Sequence, residues 1–175
     1  MGTDLKQFIR DVQDFPKKGI TFKDITTLLK ESDKFRAAVD AIADKFKDKD
    51  IDMIISVEAR GFIFGSAVAY KMGVGLVPVR KKGKLPYRTH SITYDLEYGQ
   101  DTLEIHQDAL KKGAKVLIVD DLLATGGTTR ATVDLVEKVG GKVEGIAFLI
   151  ELLPLKGRDK LKGYPIFSII EDKYC

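Results

Sequence analysis

Residues 116–129 read VLIVDDLLATGGTT, and two kinds of chemistry meet in that run. The small residues of Ala124, Thr125, Gly126, Gly127 and Thr128 let the backbone turn tightly at the start of a helix. Convergent N–H groups in such a turn bind a dianionic phosphate, and threonine hydroxyls add donors. The adjacent carboxylates of Asp120 and Asp121 can accept hydrogen bonds from vicinal hydroxyls, such as those of ribose, or face a hydrated magnesium ion, which prefers oxygen ligands. A Gly-Gly pair alone usually marks a turn, and an acidic pair alone a solvated strand end. Their combination at strand–acid–acid–glycine–helix spacing favours a site for a phosphorylated sugar. Neither GxGxxG nor a lysine after the glycine pair is present, which argues against an NAD or ATP site.

Two further groups carry charge suited to phosphate. Glu58-Ala59-Arg60 follows a short apolar run, and the planar fork of arginine matches phosphate oxygens. A surface salt bridge is the plain alternative for Arg60, and its place at the end of a buried strand favours the phosphate role over it. Arg80, Lys81, Lys82, Lys84 and Arg88 form a dense basic run. By composition it reads first as a solvated loop, then as a nucleic-acid patch. Beside a phosphate loop, a polyphosphate clamp fits better. His90 and His106 are not spaced as metal ligands, and the single cysteine, Cys175, can neither pair within the chain nor build a metal site alone.

The elements that must position these groups follow from periodicity. Residues 4–12 have a helical pattern, with Leu5, Phe8, Ile9 and Val12 on one face, before a break at 16–19. Residues 32–47 read as a helix capped by Ser32 or Asp33. Strands are expected at 51–57, 75–79, 102–105, 115–119, 143–150 and 166–170, with helices at 62–71 and 128–139. Residues 81–94 show no periodic pattern and read as a loop. Buried strands alternating with helices imply an α/β domain with a mainly parallel sheet. Ligands in such sheets bind beyond the carboxyl ends of the strands, which selects 58–61, 80–98 and 120–129.

The 175 residues suit one domain. A composition 44% hydrophobic and 31% charged, with a formal charge of +3, fits an ordinary globular protein and not a nucleic-acid binder. The first residues, MGTDLKQFIR, lack the apolar run of a signal peptide, and no apolar stretch is long enough to span a bilayer. A cytoplasmic location is expected, consistent with scarce cysteine.

The run DDLLATGGT resembles the phosphoribosyl pyrophosphate (PRPP) motif of the type I phosphoribosyltransferases, in the form used by the branch that acts on adenine. Segments 15–24, 58–65 (EARGFIFG), 79–86 (VRKKGKLP), 94–99 (YDLEYG) and 155–161 (LKGRDKL) resemble that family in the same order, so the likeness spans nearly the whole chain. It implies an α/β fold with a mainly parallel central sheet flanked by helices and a mobile flap over 80–98. A small base-binding hood would come from about residues 1–30 and the C-terminal segment, all within one domain.

The resemblance also implies roles. Ala124, Thr125, Gly126, Gly127 and Thr128 would hold the 5-phosphate, with Asp120 and Asp121 on the ribose hydroxyls. Glu58, Ala59, Arg60, Arg80, Lys81 and Lys84 would meet the pyrophosphate. Glu97 matches the family's catalytic glutamate, which manages the ring proton of the base, and Tyr98 is a flap contact beside it. Phe22 would stack on adenine, Thr21 and Lys23 would read its edge through backbone groups, and Leu152 would cover its other side. Lys23 stands where an arginine is common. The implied reaction converts adenine and PRPP to AMP and pyrophosphate, with magnesium bound mainly through PRPP near Asp120 and Asp121. A homodimer is implied, and neither nucleic acid nor membrane is expected as a partner. A different base (xanthine, guanine or orotate) and a non-catalytic PRPP or purine sensor are the competing readings.

Overall fold

The computed structural model describes residues 4–95 and 99–174. Asp4 accepts from the Lys6 N–H at 3.0 Å and opens a 3-10 turn, Leu5–Phe8. The chain then extends into β1 (Arg10–Val12), antiparallel to β2 (Phe22–Asp24). The helix expected over 4–12 is therefore a turn and a strand. Cross-strand charge explains the difference. Arg10 opposes Asp24 and Asp11 opposes Lys23, each pair joined as a salt bridge, at 2.7 and 3.0 Å. Such directly opposed pairs hold a chain extended.

Next come α1 (Thr26–Leu29) and α2 (Ser32–Phe46), whose Ala38, Val39, Ile42, Ala43 and Phe46 form one buried stripe. Strand β3 (Met53–Val57) leads into α3 (Gly61–Met72), which ends at Gly73 in the left-handed region, φ 70°. There follow β4 (Gly75–Lys81), β5 (Thr89–Asp95), β6 (Gln100–His106), β7 (Lys115–Leu123), α4 (Gly127–Lys138), β8 (Lys142–Leu152) and β9 (Ile166–Asp172). Two 3-10 segments, Leu153–Leu155 and Gly157–Leu161, connect β8 to β9.

Seven strands form the main sheet in the order β5-β6-β4-β3-β7-β8-β9. From β4 to β9 every neighbouring pair is parallel, while β5 and β6 add an antiparallel hairpin at one edge. The mainly parallel sheet agrees with expectation. The loop expected over 81–94 does not: its second half is β5, paired along its whole length from Thr89↔His106 to Asp95↔Gln100. Ile92 and Tyr94 alternate with exposed Ser91, Thr93 and Asp95 and pack against the core. Pro78 is tolerated inside β4 because β6 joins β4 only at Arg80 and Lys81.

Both faces of the sheet are covered. In β7, Leu117 and Val119 pack on the α2–α3 side and Val116 and Ile118 on the α4 side. Ile54 and Ile55 divide likewise in β3, as do Ala147 and Phe148 in β8. This accounts for the continuous apolar runs of the central strands. Strand β7 runs past the expected end at 119, so Asp120 and Asp121 sit within it, Asp120 opposite Phe148 of β8. Phe148→Ala empties a fully buried site. We expect it to cost about 3–5 kcal/mol, read as a lowered urea midpoint.

Candidate active site

At the carboxyl end of β7 the chain passes through Ala124 and Thr125 into Gly126, whose φ of 80° a side chain would oppose. Gly126 caps α4 with no side-chain hydrogen bond, so the first N–H groups of the helix face outward. Thr128 stands in that first turn, and its hydroxyl is hydrogen-bonded to Tyr94 Oη at 3.0 Å. Strand β5 is thereby tied to the phosphate-type loop. The expectations from sequence gave Tyr94 no such role. The alternation of residues 89–95 was its only local signal.

Asp120 accepts from the N–H of Asp121 at 2.8 Å. Gly61 makes room for it: an added Cβ would lie 2.5 Å from Asp120 Oδ1. Burial, then the neighbouring Asp121 charge, push the Asp120 carboxyl well above its ordinary range. Burial lifts Asp121 too, opposed by Arg60. The Arg60 Nε lies 2.8 Å from Asp121 Oδ2, yet its N–H does not point at that oxygen, so this is an ion pair without a hydrogen bond. Asp121 Oδ2 is left buried and without a donor. The Arg60 guanidinium also lies 4.9 Å from the centre of the Phe22 ring, and its Nη1 donates to the carbonyl of Lys23 at 3.4 Å.

Arg60, Phe22 and Lys23 border a cleft of about 470 Å³, and Asp121 reaches it through its pair with Arg60. Thr21, Phe22 and Lys23 form one wall, Leu152 with Leu155 another, and Ala124, Thr125 and Thr128 the base, with Arg60 at the edge. The structure thus brings together residues picked from distant parts of the sequence, and adds Ile20, Leu122 and Leu155. A cavity of about 550 Å³ lies between Asp52 and the 108–114 turn. It sits at the amino ends of β3 and β7, the end of an α/β sheet opposite the usual ligand site.

Glu58 has a different surrounding from the one expected. Its carboxylate is buried and accepts from Arg80 (3.2 and 3.0 Å), the Lys81 N–H (2.6 Å) and Lys84 Nζ (3.2 Å). Burial raises its pKa, and these donors outweigh that and hold it below the ordinary value. Its side chain therefore organises the basic run. Lys81 reaches instead to Asp101, at 3.1 Å.

Lys23 is spent on the interior. Its ammonium is buried, 2.6 Å from Asp172 Oδ2 and 3.0 Å from Asp11 Oδ1. Burial lowers its pKa, but the two carboxylates more than offset this and leave it raised. Glu97 and Tyr98 lie outside the described residues. Among the described residues, no three His, Cys, Asp or Glu side chains gather as a metal cage, and no helix is long and apolar enough to cross a membrane.

Comparison with known proteins agrees with this geometry. The family model "phosphoribosyl transferase domain" matches residues 24–173. An adenine phosphoribosyltransferase of Clostridium kluyveri is 60% identical over 95% of this chain and 97% of its own. Among solved structures, adenine phosphoribosyltransferase from Thermoanaerobacter pseudethanolicus superposes with a TM-score of 0.95 at 53% identity, covering 98% of this chain and 100% of its own. The Saccharomyces cerevisiae enzyme, complexed with D-2,5-dideoxy-2,5-imino-altritol 1,6-bisphosphate and adenine, has a TM-score of 0.91 at 40% identity and covers 96% and 97%. This chain belongs to the type I phosphoribosyltransferase family and, within it, to the adenine phosphoribosyltransferases.

Two measurements test the electrostatics. A carboxyl whose pKa is raised on folding favours the native state at low pH and loses that contribution as pH rises above 3.8 through the raised value. Relative to the parent, Asp120→Asn should therefore gain stability as pH is raised from about 4 to 7, read as the difference in melting temperature. Lys23→Met strands a buried carboxylate with Lys6 as its remaining cation. It should cost about 3 kcal/mol in urea unfolding, with Lys23→Arg retaining most of it.

Proposed function

We propose that the chain transfers the 5-phosphoribosyl group of PRPP to adenine, giving AMP and pyrophosphate. One observation carries the reading: the donorless Asp121 Oδ2 is paired with Arg60, which lines the cleft together with Phe22 and the helix-start residues Ala124, Thr125 and Thr128. A buried acceptor without a donor supports a reading in which a substrate hydroxyl supplies one, with ribose lying between a phosphate and a flat base. The names of the relatives support adenine as that base.

In this reading the backbone of Ala124, Thr125, Gly126, Gly127 and Thr128 holds the 5-phosphate, and Asp120 and Asp121 take the ribose hydroxyls. Arg60 releases Asp121 as pyrophosphate arrives, and Ala59, Arg80, Lys81 and Lys84 complete the anion site, with Glu58 fixing Arg80 and Lys84. Adenine stacks on Phe22 under Leu152, with its edge against the backbone of Thr21 and Lys23. The anomeric carbon gains positive charge as the C–O bond to pyrophosphate breaks, so orientation and fixed charge do most of the work. Glu97 holds the proton that adenine gives up as the new C–N bond forms, and Tyr98 closes over the sugar phosphate. The carboxylates of Asp120 and Asp121 suit hydrated magnesium carried on PRPP. Bound there, the ion would offset charge on the diphosphate.

The hood over the base would combine residues 1–30 with the C-terminal segment, and 80–98 would act as the flap, within a single domain of 1–175. Ile63 and Tyr70, two turns apart on α3, and Leu76 on β4 are exposed, which supports a homodimer through that face. A cytoplasmic site of action fits the substrates.

Incubation with PRPP, magnesium and a panel of adenine, guanine, xanthine and orotate tests the reading. AMP should be the main product, and a preference for another base would overturn it. Glu97→Gln should lower turnover by about 10²–10⁴-fold with little change in PRPP affinity. Asp121→Asn should weaken PRPP and AMP by about tenfold or more in calorimetry and leave free adenine nearly unchanged.

A further inference from the structure

Within the segment 155–161 only Leu155 has been placed, on the cleft wall, yet the segment also touches the phosphate loop. Gly157 packs backbone to backbone against it. A Cβ on Gly157 would lie 2.3 Å from the carbonyl oxygen of Ala124, and a Cβ on Gly126 would lie 2.4 Å from the carbonyl oxygen of Gly157. No side chain fits between the two strands of backbone. The loop has no side-chain cap of its own; it is held by the Tyr94–Thr128 hydrogen bond on one side and by this backbone contact on the other.

What holds Gly157 is its neighbour. Arg158 donates from Nε to Glu151 Oε1 and from Nη2 to Oε2, each at 2.6 Å, a two-pronged pair. Ser168 Oγ on β9 donates to the same Oε2 at 2.7 Å. The Glu151 side chain is 3% exposed and sits near the end of β8, one residue before Leu152 of the cleft. A buried carboxylate is tolerated only with partners of this quality. Arg158 is itself 41% exposed and does not line the cleft.

We propose that Arg158 is a positioning residue for 5-phosphate binding: its fork on Glu151 fixes Gly157, and Gly157 props Ala124 and Gly126 in the conformation that receives the phosphate. This rests on the reading of 124–128 as the 5-phosphate loop. The arrangement predicts a selective defect. Loosening the prop displaces the N–H groups that converge on the phosphate, where a shift of a fraction of an ångström matters. The Phe22 wall hangs from β1 and from Asp172 of β9 through Lys23, away from the Gly157 contact.

The test measures KM for PRPP and for adenine, the Kd of ribose 5-phosphate by calorimetry, and the melting temperature, in the parent, Arg158→Gln and Arg158→Lys. Arg158→Gln should raise KM for PRPP and Kd for ribose 5-phosphate by about tenfold or more, with KM for adenine within about twofold. Lysine supplies one donor group without the fork and should fall between. A ribose 5-phosphate affinity within about twofold of the parent in Arg158→Gln overturns the proposal. So does a parallel rise in both KM values with a lower melting temperature, since that marks general loosening. Should Arg158→Gln fail to fold, the same criteria apply to Arg158→Lys. A parent that binds ribose 5-phosphate but makes no AMP overturns the function proposed above and leaves the prop to be decided by the affinities.

Discussion

The placement of two carboxylates inside an interior strand of a sheet packed on both faces is the constraint on which the rest of this structure turns. Asp120 and Asp121 do not follow β7; they are part of it, running beside β8 just past its last pair with β3 at Val119. Low local polarity strengthens every charge there and makes an unpaired one costly. The glycine at 61, the ion pair to Arg60 and the N–H of Asp121 are the local answers to that cost.

Elsewhere the chain treats buried acids differently. Glu58, Glu151 and Asp172 are each supplied with cationic partners and further donors, and each is held below its ordinary pKa. Asp121 is the contrast, with an ion pair but no donor to Oδ2. The saturated acids are joints: Glu58 joins the end of β3 to the basic run, Glu151 joins β8 to the segment behind the phosphate loop, and Asp172 joins β9 to the Phe22 strand. The unsaturated one pairs with Arg60, which lines the cleft. Saturation thus separates the three acids that act as joints from Asp121.

Much of this was legible in the residues. The motif at 120–128 depends on near neighbours, and its turn chemistry is written locally. The central strands announce themselves as apolar runs because both faces are buried. What could not be read depends on distant partners. Residues 4–12 carry a helical pattern, but Arg10 and Asp11 meet Asp24 and Lys23 across a strand pair, and that pairing wins. Ile92 and Tyr94 alternate properly for a strand, yet the surrounding charges hide the pattern and the strand exists only because β6 lies beside it. The fork of Arg158 on Glu151 and the burial of Lys23 against Asp172 likewise join residues that nothing in the local sequence links.

The cluster at Glu58 has a consequence for the entropy of binding. Long cationic side chains are costly clamps, because each must give up about 2 kcal/mol of rotamer freedom to hold one geometry. Here Arg80 and Lys84 have surrendered part of that freedom already, gathered on one buried carboxylate when the chain folds. In the proposed reading, an arriving polyanion meets cations that are already partly ordered. The ordering is charged against the stability of the protein, and the association step is spared it.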